Sequence, residues 1–512
     1  MSTTLFHNGT IRRLPGKATA EWLLVEGRTV SAVGTGESPS ADRIVDLDGG
    51  TVVPGFRDAH VHLPATGLYA SGLDFRGERS AGKILDAFAS RVAGGESILF
   101  GGNFEDPLDA PLTRHDLDPV VGDQPALLAR ADMHSCIVSS ALLQQLEVKG
   151  LEGVDVDPEG IPTGYLREQA AAQAWNWFDR NLTPEAQRAA IRSAIKLAYS
   201  KGIAEVHEML VVEWRGWDSL EVFQGSVAGV ALEIALWLGT DEVDRVVELG
   251  LPRIGGDFFL DGSFGSHTAW LSAPYSSAPP EGSPENGISY RSDEELLEFF
   301  SKAQRAGLQT GVHAIGDAAI SQAIDTWEKV AAEVGEDAVR SLGHRIEHFE
   351  CAGDDHIQRC LNLGLRASVQ PAFDHYWGGS EGLYAQRIGW ERASEMNRFS
   401  SMLDAGMLLA AGSDSTVTPM DPFLQMAALR GHHVESERCS PLEALRLHTV
   451  GAARLSDQHA VRSTLEAGMQ ADIAWLDRDP LAVSTEELLA SEVRGTWIGG
   501  ARVWPEAEAE VA

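Results

Sequence analysis

In Asp58-Ala59-His60-Val61-His62, two histidines stand two residues apart on an apolar run that begins at Phe56. A strand sends side chains at i and i+2 to one face, so both imidazoles would point the same way and lie close enough to share a cation. Alone the pair is a weak signal, because a histidine taken singly is more often a packed or surface residue. Three further groups recur where short apolar runs end: His313 in Gly311-Val312-His313-Ala314-Ile315-Gly316-Asp317, His348 in Arg345-Ile346-Glu347-His348, and Asp414 in Ala411-Gly412-Ser413-Asp414. Imidazoles with a carboxylate and no thiolate suit zinc first, with nickel, manganese or iron as less specific fits. A divalent cation bound by such groups can lower the pKa of its water towards ~7 and stabilise a developing oxyanion.

Groups so far apart in sequence must be brought together by the elements that carry them. Between about 54 and 453, short buried-strand runs alternate with helical stretches of 15 or more residues, the texture of parallel β/α units. Strands are expected near 56–62, 127–133, 203–209, 256–261, 308–313, 344–349, 366–371 and 407–413. Eight would close a (β/α)8 TIM-like barrel, whose C-terminal strand ends converge on one mouth. Helical connectors are expected at 184–200, with Pro184 near the first turn, and at 293–306, where Ser292 and Asp293 offer caps before Leu296, Leu297, Phe299 and Phe300. The stretch from about 65 to 180 is too long for one crossover, which predicts an inserted substructure near the mouth. Residues 1–53 and 454–512 share a different texture of short apolar runs between turn residues. Neither piece has strands enough to bury its own faces, so the two are expected to meet in one composite β-sandwich.

The 512 residues carry 75 acidic against 41 basic side chains, a formal net charge of −34. That field repels nucleic acid and anionic membrane, and leaves a small molecule as the expected partner, with a homodimer the common default. Four cysteines form no CxxC pair and fit a reducing compartment. The N-terminus lacks the basic start and apolar run of a signal peptide, and no apolar stretch approaches a membrane span, so the expected location is cytoplasmic.

Several runs together resemble the amidohydrolase superfamily, and within it the subgroup typified by N-substituted formamide deformylase. They are Val53-Pro54-Gly55-Phe56-Arg57-Asp58-Ala59-His60-Val61-His62, Asp261-Gly262-Ser263-Phe264-Gly265-Ser266-His267-Thr268-Ala269, His313-Ala314-Ile315-Gly316-Asp317, His344-Arg345-Ile346-Glu347-His348, Ser368-Val369-Gln370-Pro371 and Gly412-Ser413-Asp414. The resemblance implies a barrel in which His60, His62 and Asp414 bind one metal and His313 and His348 a second. It further implies attack of hydroxide on a polarised carbonyl, with Asp414 carrying the proton to the leaving nitrogen.

One position departs from that pattern. Family members commonly bridge the metals with a carboxylated lysine four residues before the Asp-Gly-Ser run, and here that place is Asp257. No other lysine falls where it could take over. Three outcomes are open: Asp257 bridges two ions; a single ion is held by His60, His62, His313 and Asp414 while His348 polarises the substrate; or Asp257 only orients a histidine. His134, His207 and His267 are candidate substrate contacts. Phe75, Phe104, Trp175, Trp177 and Trp377 are candidate pocket walls. The expected reaction is hydrolysis of a C–N bond in a small amide, an N-substituted formamide being the nearest precedent. The alternatives are a deaminase or related reaction at a mononuclear site, and a barrel that has lost catalysis.

Overall fold

A strand buried on both faces has to exclude water along its whole length, and Phe56–Val61 does so with all six residues buried, Arg57, Asp58 and His60 among them. The structure, a computed structural model, describes every residue except 1, 76, 96–97, 105–106, 131–134, 152, 280–282 and 506–512. The chain divides into two compact units: residues 1–62, 196–211 and 229–512 form the first, and residues 63–195 and 212–228 the second.

The first unit is α/β. Its parallel strands run, in chain order, Phe56–Val61, Ile203–Leu210, Glu233–Leu238, Arg253–Ile254, Gln309–Ala314, Arg345–His348, Arg366–Val369 and Leu409–Ala411. The first three make one sheet and the last five another, with chain neighbours paired throughout. Hydrogen bonds join the sheet edges. Between the third and fourth strands Gly255 N donates to Leu238 O at 2.7 Å; between the first and eighth Asp414 N donates to His60 O at 2.8 Å and His62 N to Ser415 O at 3.0 Å.

The connecting helices follow from local sequence. Asp293–Arg305 starts at Ser292, whose hydroxyl accepts from Glu295 N while the Glu295 carboxylate accepts from Ser292 N. This reciprocal cap satisfies donors the first turn leaves unpaired, and Lys302 and Arg305 complement the dipole at the far end. Leu296, Phe299, Phe300 and Ala303 form its buried face.

Both chain ends contribute to the remaining sheets of this unit. Thr29–Gly34, Trp22–Glu26, Thr3–His7 and Arg43–Asp46 form one, in that order; Ala501–Trp504, Val493–Ile498, Ile473–Leu476, Thr51–Pro54, Thr10–Arg12 and Thr19–Ala20 form the other. Ile473–Leu476 pairs antiparallel with Thr51–Pro54, setting Ala474 opposite Val53. Phe6, Leu23 and Val25 from the first sheet and Ile11, Val52, Ile473 and Trp497 from the second share one apolar core.

The second unit holds a six-stranded mixed sheet ordered Val154–Val156, Pro162–Arg167, Ser135–Val138, Ala126–Arg130, Leu99–Phe104 and Leu73–Asp74. This corrects the expected strand order. The run expected as the second barrel strand, 127–133, begins on Ala126–Arg130, which pairs antiparallel with Ser135–Val138 in this sheet. The second parallel strand is Ile203–Leu210, and the third, Glu233–Leu238, was not expected at all. A short buried run carries no mark of which sheet it joins, so periodicity could not separate these cases. The strand expected at 256–261 is only partly regular: past Ile254 the run continues beside the fifth strand as a parallel bridge between Phe259 and His313, with His313 N donating to Phe258 O and Leu260 N to His313 O, each at 3.0 Å. The regular ladder of the fourth strand is interrupted after Ile254, where Gly255 and Gly256 take φ of 84° and 75°.

Candidate metal centre

Strand alternation places His60 and His62 on one side of the first strand, their ring centroids 5.4 Å apart. Asp257 follows the Gly255-Gly256 interruption, and its carboxylate stands among four imidazoles. Its Oδ2 lies 3.4 Å from His60 Nε2 and 3.1 Å from His62 Nε2, while Oδ1 lies 3.6 Å from both His313 Nδ1 and His348 Nε2. Asp414 Oδ1 is 3.6 Å from His60 Nε2 and 3.2 Å from His62 Nε2. Ligands of a tetrahedral ion at about 2.1 Å stand about 3.4 Å from one another, so these separations match the edges of a coordination polyhedron. His348 and Asp414 both have left-handed backbones, with φ of 69° and 50°. Non-glycine residues hold that conformation at a cost, and such strain gathers at functional sites.

Each imidazole has its other nitrogen committed elsewhere, which fixes the nitrogen offered inward. His60 Nδ1 pairs with Glu347 Oε2 at 2.9 Å, His62 Nδ1 donates to Met209 O at 3.0 Å, and His348 Nδ1 donates to Gln370 Oε1 at 2.7 Å. His313 is turned the other way, with Nε2 donating to Gly262 O at 3.3 Å and Nδ1 left for the centre. Such outer partners orient metal ligands and strengthen them as donors. His60 Nε2, His313 Nδ1, His348 Nε2 and Asp257 Oδ1 are buried and have no hydrogen-bond partner among the described residues. A cation facing all four would satisfy them, so the residues present fit a divalent metal.

The electrostatics agree. Burial pushes the His62 pKa down, but hydrogen bonds to Asp257 and Asp414 and their charges outweigh it and raise it to about 10. The same opposition leaves His60 well above its ordinary value. Burial works to raise Asp257 and Asp414, yet the neighbouring histidines, His60 first, bring both below the usual carboxylate range. Two clustered carboxylates therefore draw positive charge to this spot, as protons or as a cation.

The structure thus brings His60, His62, Asp257, His313, His348 and Asp414 together. It treats the other expected residues differently. His207 lies within the second strand and not at the end of the third, fully buried, with Nδ1 taking a hydrogen bond from Arg345 Nη1 at 2.8 Å and Nε2 facing Glu205 Oε1 at 3.3 Å. Both of its nitrogens are thus engaged within a buried network. His267 has Nε2 2.9 Å from Ser277 Oγ and its ring against Tyr275. His134 lies outside the described residues. Phe75, Phe104, Trp175 and Trp177 pack in the cores of the second unit. Trp377 packs against Phe373, whose ring stacks on His348 at 6.0 Å. Residue-type reasoning missed the supports: Glu347, Gln370 and Asp261, the last accepting from Trp270 N, Ile315 N and Gly316 N. All three sit inside the quoted runs, but only tertiary contacts reveal what each one holds.

A family model described as "Amidohydrolase family" matches residues 43–504. The chain belongs to this amidohydrolase family. It is 29% identical over 507 residues to the putative amidohydrolase YtcJ of Bacillus subtilis, covering 91% of each chain. Against the N-substituted formamide deformylase of Arthrobacter pascens it is 26% identical over 560 residues, covering 98% of each. An uncharacterised metal-dependent hydrolase from Pyrococcus furiosus has a crystal structure that superposes with a TM-score of 0.76 at 29% identity, over 94% of this chain and 100% of that one. Family membership and the six convergent metal-capable groups support metal-dependent hydrolysis by this amidohydrolase. Among its described residues no helix is long and apolar enough to cross a membrane.

Proposed function

We propose that the protein hydrolyses a C–N bond of a small amide at a centre of two divalent ions, with zinc the best fit to the ligand set. The reading includes closure of the eight parallel strands into a (β/α)8 barrel beside a β-sandwich made from both chain ends. The observation that carries it is the convergence of four imidazoles and two carboxylates, each imidazole oriented by a separate partner. The split of Asp257, Oδ2 towards His60 and His62 and Oδ1 towards His313 and His348, supports it as the bridging ligand in place of a carboxylated lysine. His60, His62 and Asp414 would hold one ion, and His313 and His348 the other. Divalent cations bound there supply an activated water near neutral pH and polarise the substrate carbonyl.

The chain's own residues supply the proton chemistry. Burial works to raise the Asp414 carboxylate, but its histidine neighbours, His60 first, outweigh this and hold it below the usual range, so that it stands ionised as a base must. In this reading Asp414 receives the proton of the attacking water and passes it to the leaving nitrogen, which departs as an amine. The deformylase relative makes N-substituted formamides the first substrates to try. Purified protein is expected to carry about two equivalents of divalent metal per chain and to hydrolyse members of a small-amide panel. Less than about 0.2 equivalents, with no activity restored by zinc, nickel or manganese, would sink the reading. Asp414→Asn should lower turnover about 10²- to 10⁴-fold with metal content largely kept, and unchanged turnover would remove Asp414 from the mechanism.

A further inference from the structure

Behind the ligand cluster lies a layer of buried charge, of which the hydrolytic reading uses only the contact of Glu347 with His60. Arg345, on the sixth strand, is 1% exposed and reaches four strands at once. Its Nη2 donates to Ala59 O on the first strand at 3.0 Å, its Nη1 pairs with His207 Nδ1 on the second at 2.8 Å, and its guanidinium covers the Trp237 ring on the third at 4.2 Å. On its own strand it grips Glu347 twice, through Nε to Oε1 and through Nη2 to Oε2 at 2.9 Å. The layer continues through Glu205, which faces His207 and accepts from Arg57 Nε at 2.9 Å. Two guanidiniums thus meet two carboxylates across a histidine, all of them buried.

Burying so much charge is costly, and a well-packed apolar layer would serve stability as well or better, so these residues call for a use beyond the core. The geometry points to one. Glu347 Oε2 contacts His60 Nδ1 at 2.9 Å, and Arg345 holds the carbonyl of Ala59, the residue before His60. We infer that Glu347 is a positioning residue, locked by Arg345, that fixes the tautomer and orientation of His60 so that Nε2 is presented to the cation. A carboxylate accepting the Nδ1 proton leaves the lone pair on Nε2 and makes that nitrogen a stronger donor. The inference rests on the metal-dependent reading above and assigns the Arg345–Glu347 pair to ligand strength and not to turnover.

Metal affinity, followed by chelator competition on the folded full-length protein, separates this role from a structural one. Glu347→Gln should weaken binding of zinc roughly 10- to 100-fold, with turnover recovered when free zinc is raised to saturation. Glu347→Gln leaves Arg345 without its counter-charge and can fail to fold, so the double variant Glu347→Gln with Arg345→Met, which removes the pair together, carries the same expectation. A pair that only stabilises the core would move the melting temperature and leave the zinc affinity of folded protein unchanged; that result in the double variant overturns the inference. A wild-type chain that binds no divalent ion overturns the metal-dependent reading and this inference together, whereas equal affinities in wild type and variant overturn this inference alone.

Discussion

At Asp257 a short carboxylate stands where the resemblance to the superfamily implies a carboxylated lysine, and it lies 3.1–3.6 Å from ligand nitrogens of four histidines. The departure was legible from the spacing to Asp261, but what Asp257 touches was not, because that depends on the interruption at Gly255-Gly256. Its charge also sets how the site responds to pH. His62 holds a proton up to about pH 10 in the metal-free chain, so at neutral pH a cation must displace it. Affinity for zinc should therefore rise with pH between 7 and 9, about tenfold per unit for each proton displaced, and flatten as the pH passes about 10. Calorimetry in buffers of different ionisation enthalpy should register about one proton released or more. Pairs of titrations that agree across buffers, with affinity flat in pH, would refute it.

Among the elements, the seam between the first and eighth strands is what brings Asp414 to the first-strand histidines. Asp58 Oδ1 accepts from Ser413 N at 2.8 Å, and Gly412 passes so near the first strand that a Cβ on it would sit 2.5 Å from His60 N and 2.8 Å from His60 Cβ. Neither neighbour can yield, since one is backbone and the other is the root of a ligand. Gly412→Ala should cost about 1–3 kcal/mol and reduce bound metal, because the displaced strand carries either His60 or Asp414 out of place. Normal thermal stability together with full metal content in that variant would show that the seam tolerates the methyl group. The glycine itself stood in the quoted Gly-Ser-Asp run, yet its need for space follows from a partner some 350 residues away.

For the whole molecule, the centre draws on the first, fifth and sixth parallel strands and on the segments that follow the fourth and eighth, and so acts as a tie between distant parts of the chain. An ion that binds only the folded state stabilises it by mass action. Free metal held at about 100 times its Kd should add about 2.7 kcal/mol, and chelation should remove it, seen as a melting temperature that falls with added chelator and returns with zinc. Identical melting curves with and without chelator would mean that the ligands do not bind the ion in the native state. The carboxylates paired behind the centre contribute to the acid sensitivity of the fold. Burial tends to raise Glu347, but the Arg345 charge and His60 bring it to about 2, a depressed value. Its contribution is present above its ordinary value near 4.5 and is lost as pH falls towards about 2.

Side-chain chemistry and chain-local pattern were enough to determine much of this. Two histidines at strand spacing and further metal-capable side chains at the ends of apolar runs singled out five of the six clustered residues as candidate ligands, and the resemblance singled out Asp257. Ser292 and Pro184 marked helix starts because capping and proline geometry act within one turn. Contacts over long separations were decided by tertiary structure alone. Ala126–Arg130 and Ile203–Leu210 read alike as buried strands, and only pairing assigned one to the second unit's mixed sheet and the other to the parallel series. His207 ends up beneath the site because Arg345 and Glu205 occupy its nitrogens, and Glu347 reaches His60 because the first and sixth strands bring them within 2.9 Å. Residue type limits what a group can do, while the partners that orient it and set its protonation come from the fold.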